Sequence, residues 1–325
     1  CEAAVLGSHA KMLAYRELLA DSRLPEALSR SLVNAYFPAK ICAAAGEEAL
    51  AGHLLQREIA TTMAVNKIVD TVGCTFFTEM TAVTGRSFRE VAEAHMRALD
   101  IGGVQDLYDQ LFDIEDKHTQ EGVYRAMERL AWGLDDATFY LLGPIAPRAV
   151  DPGQAQALLG KIVEFLGPDS RQRARYERHI ASLTEVGIPL ELARRVASTR
   201  FLLMVLDTLA IASIQKREPE QVLRTRLEVA DAMRLPELQS AISRMNLDSA
   251  WDGPAVQSLG RQLEFHAHKM TLLVEGLRVD EMIEKYGLVK VQKLIGQYLE
   301  SDVTVASLVM LDGQLRRLLP PMAHG

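Results

Sequence analysis

The sequence predicts an all-α protein, a multi-helix array in two packed helical lobes, and three observations carry that reading. Almost every segment repeats its apolar residues with a period of about 3.6, and none sustains the apolar–polar alternation of a strand. Phe, Trp and Tyr together make only 6% of the chain, so Ala and Leu carry most of the apolar weight. That balance suits helix packing better than sheets, which favour β-branched and aromatic residues. Prolines and glycines also stand where the periodic runs begin and end.

In chain order the pattern predicts helices over 3–21, 25–36, 47–72, 75–84, 88–100, 103–112, 118–142, 154–166, 169–186, 189–216, 219–233, 236–245, 254–276, 279–299 and 303–319. Pro25, Pro189, Pro219, Pro236 and Pro254 fall at helix starts, where the first turn has no use for a backbone N–H. Gly85, Gly143, Gly167, Gly187 and Gly287 follow apolar runs, where a left-handed closing residue suits glycine. In "TGRSFREVAEAHMRALD", Gly85 closes one helix, and Ser87 with Glu90 forms a capping box for the next. Phe88, Val91, Ala92, His95, Met96 and Leu99 then share one face, with His95 read as a boundary histidine holding a local hydrogen bond.

The stretch "GPIAPRAVDPG" has three prolines and two glycines in eleven residues, which prevents a helix there. It divides the chain into a first lobe over 1–143, a linker over 144–153 and a second lobe over 154–325. A shift of 131 positions lays "SFREVAEAHMRALDIGGVQDLYDQL" from Ser87 on "EPEQVLRTRLEVADAMRLPELQSAI" from Glu218, pairing Val91 with Val222, Leu107 with Leu238 and Leu111 with Ile242. An internal duplication explains this match, and so does the pattern any two amphipathic helices share; both stay open.

With 325 residues, 48% of them apolar, the chain can bury a large core. A formal charge of −7 argues against a nucleic-acid partner, because phosphate binding needs a basic surface. The basic run Arg171 to His179 contains Glu177 and reads as a solvated helix face. Cys1, Cys42 and Cys74 have no C-x-x-C spacing, which fits reduced thiols in a cytoplasmic protein. No signal peptide is evident, and the most apolar run, Phe201 to Ile214, is short for a bilayer and contains Asp207, so no membrane association is expected. The opening "CEAAVLGSHAKMLAYRELLADS" lacks an initiator Met and starts within a helical pattern, as expected of a piece of a longer protein.

Motifs for chemistry are scarce. There is no G-x-G-x-x-G, H-E-x-x-H or G-x-S-x-G, and "GQAQALLGKI" (Gly153 to Ile162) has the wrong spacing for a phosphate loop. His266 and His268 in "EFHAHK" project roughly 200° apart on a helix and cannot share one metal ion. Glu264 and His268 could share one, but no third ligand is evident nearby. Asp207 is a lone carboxylate in an apolar helix; burial would require a partner, and Arg194, Arg195 or Arg200 are the candidates, with a general-acid role as the alternative. In "QREIATTMAVNKIVDTVGCTFF", Glu58, Thr62, Asn66 and Asp70 recur every fourth residue. They read as a polar seam between packed helices, with Arg57 and Lys67 at hand, and alternatively as a ligand site. No residue is assigned as catalytic, cofactor-binding or metal-binding.

Several stretches together are similar to the C-terminal helical region of the large bacterial NAD-specific glutamate dehydrogenases. They are "LGSHAKMLAYRELLADSRLPE" (Leu6 to Glu26), "LVNAYFPAKI" (Leu32 to Ile41), "REIATTMAVNKIVDTVGCTFF" (Arg57 to Phe77), "TGRSFREVAEAHMRALDI" (Thr84 to Ile101) and "GIPLELARRVAS" (Gly187 to Ser198). Asp70 stands where that family usually has an Asn, and the second half of the chain matches mainly in helix order. The resemblance implies a parent enzyme that oxidatively deaminates L-glutamate to 2-oxoglutarate and ammonia, with NAD as its cofactor. It places the catalytic machinery upstream and implies that this stretch is a non-catalytic tail of a homo-oligomer, packed on its own catalytic domain and on neighbouring subunits. Two other readings remain: a module sensing an amino acid or nucleotide through the 58–62–66–70 stripe or Asp207, and an independent helical scaffold.

Overall fold

The computed structural model describes residues 2–21, 23–114, 119–146, 150–242, 244–245, 252–301 and 303–321. Among them every regular element is a helix, as the periodicity predicts. The chain forms two compact units, 1–159 with 180–203, and 160–179 with 204–325.

The first unit opens with α1 (Glu2–Ala20), α2 (Glu26–Tyr36), α3 (Ala39–Ala45), α4 (Glu47–Ala51) and α5 (Gln56–Val72). It continues with α6 (Phe76–Thr84), α7 (Phe88–Gly102), α8 (Val104–Phe112) and α9 (Gln120–Leu142). After α10 (Pro152–Phe165) and α11 (Arg171–Glu185) come α12 (Leu190–Ser198), a 3-10 turn at Thr199–Phe201 and α13 (Leu202–Gln215). The second unit is built on α14 (Pro219–Ala232), α15 (Leu235–Ile242), α16 (Asp252–Leu273), α17 (Val279–Lys285), α18 (Val289–Glu300) and α19 (Val305–Leu318).

In the first unit α7 packs along α9, and α5 packs against α1, α2, α7 and α9. The buried stripes follow helical spacing: Ala60, Ala64 and Ile68 on α5, Val91, Ala98 and Leu99 on α7, Ala126, Leu130, Leu134 and Ala137 on α9. The many alanines let the helix axes approach closely, and burying each Leu or Ile contributes about 1.5–3 kcal/mol. Gly133 continues this on α9: a Cβ there would lie 3.0 Å from the Thr199 carbonyl oxygen in the 3-10 turn. In the second unit α16 packs against α14 and α19, and Met233, Leu238, Ala267, Met270, Leu288, Ile295 and Leu311 form a fully buried centre.

The capping box at Ser87 is formed: Glu90 N–H donates to Ser87 Oγ at 3.3 Å, and Ser87 N–H donates to Glu90 Oε2 at 2.9 Å. Gly85 closes α6 with φ 68°. Gly143 closes α9 in an extended conformation instead, at φ −79°. Two helix ends that glycine did not mark, near Lys216 and Arg234, carry non-glycine residues at φ 52°.

Three long expected helices are divided. The 47–72 segment is α4 and α5 separated at residues 52–55, because Gly52 ends the periodic run before Gln56 restarts it. The 189–216 segment is interrupted by the 3-10 turn, and 279–299 divides where Gly287, at φ 68°, closes α17. Apolar residues continue on both sides of each break, so a sequence pattern alone reads across it. The short α3 is not expected from the sequence, since about two turns of "AKICAAA" carry little periodic signal. Of the expected 144–153 linker, residues 147–149 lie outside the described residues, and α10 already begins at Pro152. Cys1 also lies outside them; Cys42 and Cys74 are free thiols.

Helix bounds repeat at the 131-residue shift. Adding 131 to the start of α7 gives the start of α14, and to the start of α8 gives the start of α15. The last residue of α9, Leu142, maps in the same way to the last residue of α16, Leu273.

Candidate functional site

Asp207 sits within the apolar run of α13, which buries it in the second unit: it is 2% exposed and Arg226 on α14 is 1% exposed. Arg226 Nε donates to Asp207 Oδ2 at 3.0 Å, and His268 Nδ1 of α16 hydrogen-bonds Asp207 Oδ1. The guanidinium reaches further, with Nη2 donating to Glu264 Oε2, and Gln239 Nε2 of α15 donates to the other Glu264 oxygen. Four helices thus meet on one ionic cluster. Burial by itself would push the Asp207 carboxyl up, but the charges and hydrogen bonds of His268 and Arg226 outweigh it and hold the group below the usual carboxylate range. Burial likewise works against the Arg226 charge, and Glu264 and Asp207 reverse it, so its pKa is raised.

The pairing expected of Asp207 is present, and Arg226 and His268 are partners that the sequence pattern does not point to. A pairing role holds, but Arg194 pairs with Glu191 and Arg195 with Asp106. Arg226 lies on the next helix, nineteen residues on, where nothing in "VLRTRLEV" distinguishes it from Arg224 except helical phase. The two histidines of "EFHAHK" do diverge, as their spacing requires. His266 Nε2 lies 2.8 Å from Asp312 Oδ1 on α19, while His268 turns to Asp207. Glu264, the other candidate ligand, is held by Arg226 and Gln239. Among the described residues no three His, Cys, Asp or Glu side chains gather to hold a metal ion.

In the first unit the polar centre is His95 on α7. It is fully buried, a correction to the boundary position expected of it. Its Nε2 lies 2.9 Å from Thr71 Oγ1 of α5 and its Nδ1 3.2 Å from Thr138 Oγ1 of α9. The Phe76 ring packs edge-on at 5.1 Å between centroids. Burial lowers the imidazole pKa to about 3, so the ring is neutral near pH 7. A neutral ring has one N–H and one bare nitrogen; its N–H donates to one threonine hydroxyl. Both hydroxyls also lie within donating distance of backbone carbonyls, Thr71 of Lys67 at 2.8 Å and Thr138 of Leu134 at 2.7 Å, so the bare nitrogen competes with a carbonyl for the second hydroxyl's hydrogen. Tyr108 of α8 adds a bond to the Thr71 carbonyl oxygen at 3.0 Å.

The stripe on α5 is not the seam it was expected to be. Thr62 and Asp70 are exposed, and Glu58 and Asn66 are half-buried. The buried face is Ala60, Thr61, Ala64, Val65, Ile68 and Thr71. A polar contact between packed helices does exist on this element, through Thr71, one position past Asp70 and so about 100° round the helix. A four-residue polar repeat fits a solvent face as well as a seam, and its apolar neighbours Ile59, Met63, Val69 and Val72 are themselves half-buried. Nearby, Arg57 donates to backbone carbonyls that end α1.

The run Arg171 to His179 buries Gln172 and Tyr176 and leaves Arg171, Glu177 and Arg178 exposed, with Arg173 paired to Glu177 at 2.9 Å. The segment 190–215 is long and apolar enough to cross a membrane by length and composition, but it is 72% buried within the protein and broken by the 3-10 turn.

Both buried centres join side chains by hydrogen bonds across helices, in an all-helical frame, and in the second Arg226 Nη1 and His268 Nε2 are buried without a hydrogen-bond partner. The fold class is all-α throughout the described residues. The chain belongs to the family described as glutamate dehydrogenase, C-terminal, which matches residues 1–300. It is 23% identical over 282 residues to an NAD-specific glutamate dehydrogenase of Halomonas elongata, covering 85% of this chain and 17% of the relative. It is 26% identical over 284 residues to one of Pseudomonas aeruginosa, covering 84% and 17%. The corresponding enzyme of Mycobacterium tuberculosis is 26% identical over 260 residues, covering 77% and 16%. The chain therefore spans about one sixth of the length of these curated relatives.

Proposed function

We propose that this chain is a non-catalytic helical domain, structural, oligomerising or regulatory, of a cytoplasmic NAD-dependent glutamate dehydrogenase. The parent enzyme would oxidatively deaminate L-glutamate to 2-oxoglutarate and ammonia using NAD bound upstream. The domain would pack on that catalytic part and on neighbouring subunits of a homo-oligomer, with no cofactor of its own.

The observation that carries this reading is the state of the buried polar groups. A catalytic acid or base must be able to reach a substrate proton. Asp207 instead is enclosed between Arg226 and His268, and His95 between Thr71 and Thr138. Both are arranged as structural groups. The test is an assay of the purified 1–325 chain for glutamate-dependent reduction of NAD. No turnover is expected; turnover above a heat-denatured control would refute the proposal.

A further inference from the structure

A cavity of about 410 Å³ opens in the first unit between α1, α2 and α5, and none of the residues of the two buried centres lines it. Its volume lies at the low end of small-molecule sites. Among the described residues that line it are Arg23, Arg30 and Arg57 and one carboxylate, that of Glu26, which leaves two positive charges in excess. Arg30 is committed to Glu26, with Nε donating to Oε1 at 3.0 Å. Arg57 has one nitrogen, Nη2, occupied by the carbonyl oxygens of Leu19 and Asp21. Among the described residues Arg23 makes no hydrogen bond or ion pair.

Other features extend this chemistry. α2 begins beside the cavity at Pro25 with no side-chain cap, so its first-turn amides add positive character. Ser29 and Gln56, bonded to each other at 3.3 Å, add a hydroxyl and an amide. Leu18, Leu24, Ala51 and Ala60 supply apolar surface, and among the described residues no aromatic ring lines the space.

We propose that this cavity is a binding site for a small dicarboxylate, recognised by Arg23 and Arg57. Guanidinium groups match carboxylates in paired hydrogen bonds, and two unneutralised charges call for a dianion. The aliphatic lining suits a short carbon chain, and the absence of an aromatic ring disfavours a nucleobase. The inference is independent of whether the chain is catalytic.

The test is calorimetric titration of the 1–325 chain at low salt with succinate, acetate and glycerol 3-phosphate, in wild type and Arg23→Gln. Saturable succinate binding is expected, with acetate weaker by about tenfold or more, since each lost charged hydrogen bond costs that much. Arg23→Gln should weaken succinate by about the same factor while leaving the melting temperature of the free protein unchanged. Arg57 is unsuited to this comparison because it also closes α1. No saturable heat at millimolar succinate, or equal binding by wild type and Arg23→Gln, overturns the site. Tighter binding of glycerol 3-phosphate than of succinate overturns the dicarboxylate assignment.

Discussion

Asp207 and Arg226 form a fully buried ion pair, 3.0 Å between Nε and Oδ2, on adjacent helices of the second unit. Removing one member strands the other in a medium that cannot solvate it. Asp207→Ala should therefore cost about 3–5 kcal/mol in chemical denaturation. The double variant Asp207→Leu with Arg226→Met should recover part of that loss, because burying a pair gains little over apolar packing. A loss under about 1 kcal/mol for Asp207→Ala would show that the pair is not desolvated as described.

The depressed pKa of His95 sets the sign of an acid effect. The unfolded imidazole takes up a proton near 6.5, while the folded one resists until about 3. Between those values the unfolded state binds more protons, so stability is fully present above pH 6.5 and declines as pH falls, by up to about 1.4 kcal/mol per pH unit. Denaturant midpoints from pH 7 to 4 should show this slope. His95→Gln, which cannot titrate, should be less stable at pH 7 but flatter by one proton. An unchanged slope would mean that His95 is not buried neutral.

On α5, Thr71 and the 58–62–66–70 stripe should separate clearly. Thr71→Val removes a hydrogen-bond partner of a buried imidazole and should cost about 1–3 kcal/mol. Thr62→Ala and Asp70→Ala, at exposed positions, should stay within about 0.5 kcal/mol of wild type. Thermal melts of the isolated chain check both.

Gly133→Ala should also destabilise. The added methyl would lie 3.0 Å from the Thr199 carbonyl oxygen, which a packed 3-10 turn cannot easily withdraw. A loss of about 1–3 kcal/mol is expected, and a neutral or stabilising result would contradict the close approach.

These residues show what the sequence makes legible. Helix class, the capping box at Ser87 and the divergence of His266 from His268 follow from local spacing, so they can be read directly. The α5 stripe was misplaced because a four-residue repeat looks the same whether it faces water or a neighbour, and the adjacent Thr71 makes the actual contact. Asp207, a carboxylate in an apolar run, needs a partner, but that Arg226 serves as one depends on which helices pack together. His95 was read too near the surface because both of its threonines lie far off in sequence, on α5 and α9. The pairing of helix bounds at 131 residues extends beyond what the aligned residues displayed. At that shift His95 falls on Arg226, and both are buried polar residues at the eighth position of their helices.

The central claim is that this domain belongs to an NAD-dependent enzyme without binding NAD itself. Calorimetric titration of NAD into the purified 1–325 chain tests it most directly. The account predicts only the heat of dilution up to millimolar NAD; a saturable isotherm with defined stoichiometry would contradict it.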